Sequence, residues 1–348
     1  MHEASHIRGV LRSISAYARE IRPLLSADNF APARSRLWWI PVHVSVLVSG
    51  TLALSRLPVP WWGCLLLSLV MGCSFAGMTF LGHEVLHGAI VRGKKLRRVI
   101  GWFGFLPFVV SPRLWEAWHN RVHHHHTNQP GQDPDAYPTL EEYRQSFLVR
   151  AVTQWAPGRR RLRGALSLLL GFTVQSAHML FEARRRAWLT PAEHRRAVGE
   201  TLLGVAFWAC IAALLGPVTF AFAYLLPLVV ANTIVMSFIL TNHSISPHTE
   251  VNDPLINSLS VTGPRWFEWL TLGFGYHVEH HLFPAMSARH APKLRAILRA
   301  RWPRTYQSLP LLRALRALHR SARVYETRTT LVDPQTGRRW QTLAARPV

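Results

Sequence analysis

The chain has 348 residues, of which 49% are hydrophobic and only 17% are charged, an unusual composition for a soluble protein. Its formal net charge is +22, from 40 Lys and Arg against 18 Asp and Glu. Nucleic-acid-binding domains spread such charge over a polar face, whereas here the basic residues lie between long apolar runs, as in the cytoplasmic loops of membrane proteins. We therefore expect a membrane protein without a nucleic-acid partner.

The N-terminal residues 1–36 predict an amphipathic cytoplasmic segment. Apolar side chains recur at helical spacing and arginines fall between them, which is typical of a helix lying on a membrane surface. The apolar positions are Ile7, Val10, Leu11, Ile14, Tyr17, Ala18 and Ile21. An organelle transit peptide is the alternative, and the acidic residues Glu3 and Glu20 argue against it.

Two apolar stretches follow, at about 37–55 and 61–81, and each begins near a pair of tryptophans. About 20 apolar residues cross a bilayer, and tryptophan favours its interface. The short connector, with Pro58 and Pro60, predicts a transmembrane hairpin. Lys94 and Lys95 open a basic run just after it. The excess of positive charge then places the N-terminus and residues 82–199 in the cytoplasm.

A second apolar block is interrupted at Gly216-Pro217 and predicts another hairpin, with spans at about 201–216 and 218–240. The stretch 101–110 is too short to span, so it either dips into the membrane or forms a buried element. Residues 164–181 are apolar but contain Thr173, Gln175, Ser176 and His178. We interpret them as a helix at the interface, with a further span as the alternative.

The predicted fold is thus an all-α integral membrane protein with four transmembrane helices in two hairpins and a helical cytoplasmic cap. The membrane domain covers residues 37–300, and residues 301–348 form a basic cytoplasmic C-terminal tail with a turn near Asp333-Pro334. Both termini are expected in the cytoplasm. Cys64, Cys73 and Cys210 lie in apolar runs without metal-type spacing, so we expect them to be packing residues.

Histidines cluster at 83–87, 119–126, 243 and 277–281, and all four places are predicted on the cytoplasmic side. Histidine-rich tracts are typical of metal sites. Helical spacing puts His119 beside His123 and turns His124 about 100° from His123. One four-coordinate zinc would leave most of the nitrogens unused, whereas two metals would use them. The nine candidate ligands are His83, His87, His119, His123, His124, His243, His277, His280 and His281.

Other classes of protein explain fewer of these features. His83-Glu84-Val85-Leu86-His87 matches the zinc-protease pattern, with Glu84 as the general base, but a protease would leave the other clusters unexplained. A metal transporter would carry polar ligands inside its spans, and the predicted spans hold almost none. A lipid-binding membrane protein without activity would not need clustered histidines.

The three clusters His83–His87, His119–His124 and His277–His281 follow the patterns H-x-x-x-H, H-x-x-x-H-H and H-x-x-H-H. With the hairpin–loop–hairpin layout, residues 37–300 resemble the integral-membrane fatty acid desaturase superfamily. The segments Thr127-Asn128-Gln129-Pro130, Asp133-Pro134-Asp135 and Leu282-Phe283-Pro284 are similar to the same family.

The resemblance implies two iron ions in a non-haem di-iron centre held by the nine histidines, O₂ as co-substrate, and no catalytic residue beyond the metal ligands. His243 matches an additional family ligand, and His248 is its alternative. His125 and His126 fall outside the pattern. Asn242 or Asp135 could orient a ligand. The expected aromatic lining of the acyl-chain path is Trp115, Trp118, Phe103, Phe105 and Trp266.

The resemblance also implies partners. The substrate would be an acyl chain on CoA, a carrier protein or a glycerolipid. No His-Pro-Gly-Gly haem motif occurs, so electrons would come from a separate protein such as ferredoxin or cytochrome b5, docked on the basic face. His277 stands where front-end desaturases have Gln, which argues against that subclass. A hydroxylase or ketolase of the same superfamily, acting on carotenoid or another lipid, is the alternative.

Overall fold

Residues 11–158 and 161–343 are described by a computed structural model, in which long apolar helices form a bundle and shorter elements cover one end. The long helices are α2 (Trp39–Arg56), α3 (Trp61–Leu86), α9 (Arg161–Arg185), α10 (Pro191–Phe220) and α11 (Leu226–His243). The stretches 34–56, 61–86, 162–185 and 191–243 are each long and apolar enough to cross a membrane.

The covering elements come from the N-terminus, from the connections between the long helices and from the C-terminal third. The helices are α1 (Ile14–Ile21), α4 (Lys94–Phe105), α5 (Pro112–Trp115), α6 (His124–His126), α7 (Leu140–Gln145), α8 (Phe147–Thr153), α12 (Pro254–Asn257), α13 (Arg265–Leu270), α14 (His277–Leu282), α15 (Ala291–Arg301) and α16 (Leu311–Arg320). The strands are β1 (Ser260–Thr262), β2 (Ser308–Pro310), β3 (Thr330–Val332) and β4 (Arg339–Gln341). Strands β1 and β2 pair in parallel, and β3 and β4 form an antiparallel hairpin.

The two predicted hairpins are present. Pro60 precedes the first turn of α3, where a missing N–H costs nothing. Gly216 has a φ of +74°, a backbone conformation that side chains disfavour, and it kinks α10 near its end; a π-helical segment, Ala221–Leu225, then leads into α11. Ser68 on α3 donates to the Phe222 carbonyl at 2.6 Å and so joins the hairpins. The prediction of an all-α membrane protein is confirmed.

Helix α3 extends five residues beyond the predicted span and carries the first histidine cluster at its end. Gly88, with a φ of +82°, follows the C-cap residue His87. The Ala89 N–H donates back to the Glu84 carbonyl, so the last turn is closed in the manner of a glycine-terminated helix. His83 and His87 therefore lie in the last turn and at the C-cap of α3, where both rings pack against Trp115.

Two intermediate segments of the chain take buried positions. Phe105, Leu106 and Phe108, in the 101–110 stretch, are buried beside α3 and α10. This agrees with the second of the two predictions for the stretch, that it forms a buried element. Helix α9 packs along α11, where Asn232 is completely buried and hydrogen-bonds the Thr173 hydroxyl at 2.9 Å. Two of the polar residues that interrupt α9, Thr173 and Gln175, thus make contacts within the protein, whereas His178 is exposed.

The N-terminal helix α1 differs from its prediction as a membrane-surface helix. Tyr17 and Ile21 are buried against α14 and α15, and Tyr17 packs edge-on against Trp302 with its hydroxyl 3.3 Å from Asp253. The apolar side of α1 therefore contacts protein instead of lipid. Ile7 and Val10 of the predicted pattern lie outside the described residues.

The residues after 300 pack closely on the bundle. Ala314 and Leu318 of α16 belong to the main core, and the β3–β4 hairpin buries Leu331 and Val332. The turn predicted near Asp333 joins these two strands, with the Gly337 N–H donating to the Asp333 carbonyl.

Candidate metal centre

The nine predicted ligands converge on one region at the covered end of α3 and α11. Nitrogens of His83, His87, His119 and His280 lie within 4.8 Å of one another, and so do those of His123, His243 and His281. The remaining two ligands join these sets through their Nε2 atoms, as the distances below show. We call the two sets cluster A (His83, His87, His119, His124 and His280) and cluster B (His123, His243, His277 and His281).

Cluster A contains five imidazoles whose Nε2 atoms face one another. The Nε2 of His119 is 3.2 Å from that of His83 and 3.1 Å from that of His124. The Nε2 of His280 is 3.1 Å from that of His124. His87 Nε2 is buried without a hydrogen-bond partner among the described residues. Each histidine of cluster A lies either at the end of a long helix or in one of the shorter elements that cover that end of the bundle.

Cluster B is smaller and more deeply buried. The Nε2 of His277 is 2.6 Å from that of His243 and 3.0 Å from that of His281. The ring of His281 stacks on that of His124 with centroids 4.3 Å apart, so the two clusters share a wall.

The segment Glu116–His123 is a π-helix, and it adds a contact to the predicted pairing within the second histidine motif. The His124 N–H donates to the His119 carbonyl, a bond across five residues. The wider turn returns His124 to the side of His119 and sends His123 to cluster B. His119 and His123 do lie side by side, with ring centroids 5.1 Å apart, as helical spacing predicts. The contact between the Nε2 atoms of His119 and His124, 3.1 Å apart, is the one that the 3.6-residue period does not predict.

The donor set fits two metal ions better than a network of hydrogen bonds. A hydrogen bond between two imidazoles needs one protonated and one bare nitrogen, and several Nε2 atoms facing one point cannot all be satisfied. Metal–histidine bonds are about 2.0–2.1 Å, so neighbouring ligands at right angles place their nitrogens about 3 Å apart. The side-chain amide of the completely buried Asn242, beside His243, also lacks a partner among the described residues.

Burial keeps most of these histidines neutral, as metal ligation requires. It lowers the pKa of His280 to about 3 and holds those of His119 and His124 far below the usual value, where neighbouring imidazoles add to the effect. Burial alone would also lower the pKa of His123, but the charge and hydrogen bond of Asp133, together with Asp135, raise it to about 9.

Acidic and polar side chains orient the far edge of several rings. His123 Nδ1 lies 2.9 Å from Asp133 Oδ1 and 3.4 Å from Asp135 Oδ2. His281 Nδ1 lies 3.2 Å from the Thr127 hydroxyl. Such contacts fix the tautomer and leave Nε2 for the metal side. The sequence placed both aspartates near the second histidine motif, but only the folded chain shows which ring they contact.

Glu84 is a structural residue in this arrangement. Its Oε1 accepts hydrogen bonds from the Ser287 hydroxyl and the Ala288 N–H, and its Oε2 lies 2.7 Å from Arg36 Nε. Both carboxylate oxygens are therefore engaged between the N-terminal segment and the loop after α14. A protease general base would need an oxygen free for a metal-bound water, so the geometry disfavours the zinc-protease alternative.

Glu279, between His277 and His280, was missed by the sequence reasoning. It is completely buried and accepts from Arg295 Nε at 3.0 Å, from the Tyr306 hydroxyl at 2.6 Å and from the Ser260 hydroxyl at 2.6 Å. The acidic residue within a histidine motif was the available signal, but its partners are distant in sequence.

The other candidate histidines lie apart from both clusters. His248 stacks on Tyr325, with centroids 3.5 Å apart, and this geometry selects His243 for the set. His125 is exposed, and His126 Nδ1 hydrogen-bonds Gln129 at 2.9 Å.

An apolar cavity borders both clusters. Of the five aromatic residues predicted to line the substrate path, Trp115, Trp118 and Phe105 do so, whereas Phe103 and Trp266 are exposed elsewhere. The other lining residues are Thr79, Phe80, His83, His119, His123, Asp135, Phe172, Val235, Ile239, His243, Phe274 and His277.

The fold and the site together define an all-α membrane protein with a histidine-rich, metal-type centre beside an apolar cavity. A profile of the fatty acid desaturase family matches residues 60–311. The chain belongs to the fatty acid desaturase family, and it is an oxidoreductase acting on acyl lipids.

Curated relatives agree with this assignment. The chain is 24% identical over 317 residues to an sn-1 oleoyl-lipid 12-desaturase of Picosynechococcus sp., covering 86% of this chain and 84% of that protein. It is 30% identical over 125 residues to an sn-1 acyl-lipid omega-3 desaturase (ferredoxin) of Synechocystis sp., covering 36% of this chain and 34% of that protein. An omega-6 fatty acid desaturase of Spinacia oleracea is 22% identical over 82% of this chain and 64% of its own length.

Proposed function

We propose that this chain is an acyl-lipid desaturase in which clusters A and B hold two iron ions, one each. The observation that carries the proposal is the position of the apolar cavity, whose lining includes His83, His119, His243 and His277. A cavity of this kind suits a hydrocarbon chain, and the clusters lie where its methylenes would reach.

When bound, the iron pair would supply the oxidising chemistry with O₂. The overall reaction converts two neighbouring methylenes, O₂, two electrons and two protons into a double bond and two waters. The chain's own contribution is orientation and exclusion of water: Phe80, Phe105 and Phe172 form dry walls, and Asp133 and Thr127 fix the rings of His123 and His281.

The relatives' names favour a glycerolipid-bound acyl chain over an acyl-CoA or carrier-protein thioester. They also favour a ferredoxin-like electron donor over cytochrome b5. Exposed cationic residues that lie close in sequence to the first two histidine motifs, including Lys94, Lys95 and Arg121, would attract an acidic carrier. Electron transfer should then slow as salt is raised, because such attraction is screened within about 10 Å at 0.1 M ionic strength.

Expression in a host with a simple lipid profile tests the proposal. New double bonds should appear in glycerolipid acyl chains, and their positions are mapped by mass spectrometry. The His280→Ala variant, expressed to the same level, is the control for host enzymes. An oxygenated product would instead assign the chain to the hydroxylases or ketolases of the superfamily, and an unchanged lipid profile with an added ferredoxin system would contradict the proposal.

A further inference from the structure

Gln175 connects helix α9 to the metal centre by a hydrogen bond. Gln175 Nε2 donates to Asp135 Oδ1 at 2.7 Å, and Trp118 Nε1 donates to the same oxygen at 2.9 Å. The other oxygen, Oδ2, lies 3.4 Å from His123 Nδ1. A glutamine on an apolar helix is therefore linked to a cluster B ring through one carboxylate.

In the same position, Asp135 also lies near metal-binding nitrogens. Its carboxylate oxygens lie close enough to nitrogens of His119 and His123 for the three residues to form a metal-binding set of their own. Asp135 also lies beside Asp133, which already occupies His123 Nδ1 at 2.9 Å. Like charges this close repel each other, so Asp135 needs neutral donors to remain at the edge of His123.

We propose that Gln175 is a positioning residue for the metal centre: with Trp118, it holds Asp135 against the Nδ1 edge of His123, so that the carboxylate does not move onto a metal ion. The inference rests on the proposed function, because it assumes metals in clusters A and B. It explains why a polar side chain interrupts α9 at this position, where the apolar pattern predicts none.

A matched pair of variants separates this role from general stabilisation. Gln175→Met keeps the length of the side chain but removes the donor to Asp135. Thr173→Val, two residues earlier on the same helix, removes the hydrogen bond to Asn232 and touches neither cluster. Both variants lose part-buried side-chain hydrogen bonds between neighbouring elements, so each should lower thermal stability.

The readout is Co²⁺ binding by the purified, metal-free protein in detergent, followed by its visible absorption. We expect wild type to bind Co²⁺ at two sites. Gln175→Met should weaken one of them about 10- to 100-fold, the usual effect of removing an outer partner of a ligand, with a changed spectrum. Thr173→Val should match wild type. Trp118→Phe removes the other donor and should act in the same direction as Gln175→Met if that variant folds poorly.

A double variant tests the pathway. If Gln175 acts through Asp135, Gln175→Met combined with Asp135→Asn should bind Co²⁺ no more weakly than Asp135→Asn alone. Additive losses would overturn the inference, as would a wild-type Co²⁺ affinity in Gln175→Met or an equal loss in Thr173→Val.

The outcome is separable from that of the proposed function. Two Co²⁺ sites with the expected Gln175→Met defect, but no new double bonds in lipids, would sink only the proposed reaction. Normal desaturation with unaltered Co²⁺ binding by Gln175→Met would sink only the positioning role. A wild-type chain that binds no Co²⁺ would overturn both the metal centre and the role of Gln175.

Discussion

At the scale of single residues, the centre depends on which nitrogen each imidazole presents. Nε2 atoms face inward in both clusters, and Asp133 and Thr127 occupy the Nδ1 atoms of His123 and His281. Because the rings are buried and mostly neutral, they can bind metal without first losing a proton.

Removal of a cluster histidine should abolish metal binding at that cluster. We expect His119→Ala and His280→Ala to form no unsaturated product and to lose bound iron, since each deletes an Nε2 donor of cluster A. His125→Ala should keep both properties close to wild type, because His125 is exposed. Bound iron is measured in the three purified variants, and unsaturated product is measured in the lipids of the hosts that express them. An equal loss in His125→Ala would refute the ligand assignment.

His248 should make the metal-free fold sensitive to acid. Its burial against Tyr325 lowers its pKa to about 4, below the value of about 6.5 expected in the unfolded chain. Between these values the unfolded chain binds a proton that the folded chain does not, so stability falls as pH drops below about 6.5. Between about pH 6.5 and pH 5, the free energy of unfolding should therefore fall less in His248→Phe than in wild type. The difference should reach up to about 2 kcal/mol.

Unfolding in detergent at a series of pH values measures this difference. His125→Phe, at an exposed position, serves as the control and should follow the wild-type curve. Parallel curves for wild type and His248→Phe would show that His248 is protonated as readily in the folded chain as in the unfolded one.

At the scale of elements, buried acidic residues connect the histidine motifs to distant parts of the chain. Glu84 joins α3 to Arg36 and to the loop at Ser287. Glu279 joins α14 to Arg295 of α15 and to β1 through Ser260. The motifs are thereby held in register by contacts that the motifs themselves do not contain.

Glu279→Gln should destabilise the fold strongly. It would leave the Arg295 guanidinium, whose side chain is only 10% exposed, without its counter-charge, and breaking such a buried pair costs about 3–5 kcal/mol. Glu326→Gln breaks the exposed pair with Arg339 and should cost less than about 1 kcal/mol. Denaturant unfolding of both variants decides the matter, and similar losses would contradict the structural role given to Glu279.

At the scale of the whole molecule, the two hairpins and the basic connections predict which side of the membrane each segment occupies. We expect the short turn after α2 to lie outside and the segment that carries His125 to lie in the cytoplasm. Leu57→Cys and His125→Cys, in a chain lacking its three native cysteines, place one thiol in each segment. Both side chains are exposed.

A membrane-impermeant thiol reagent applied to intact cells should label position 57 and leave position 125 unlabelled until the cells are opened. The cysteine-free chain is the control for background labelling. Labelling at 125 in intact cells would reverse the orientation proposed here.

The sequence by itself determined the hairpins and the family, because both depend on local properties. A run of apolar residues sets where a helix can span, and Gly216-Pro217 marks where it must turn. The spacing of histidines within each motif carries the family resemblance. These features needed no knowledge of which segments meet.

Only the tertiary structure decided how the nine histidines divide, and the reason is that the division depends on contacts between distant segments. His243 contacts His277 across 34 residues, and Glu84 contacts Ser287 across 203. The π-helix at Glu116–His123 moved His124 to cluster A, against the 3.6-residue expectation. The contact of Asp135 with Gln175 on α9 and the packing of α1 against α15 likewise depend on where the folded chain brings each side chain, which local periodicity does not encode.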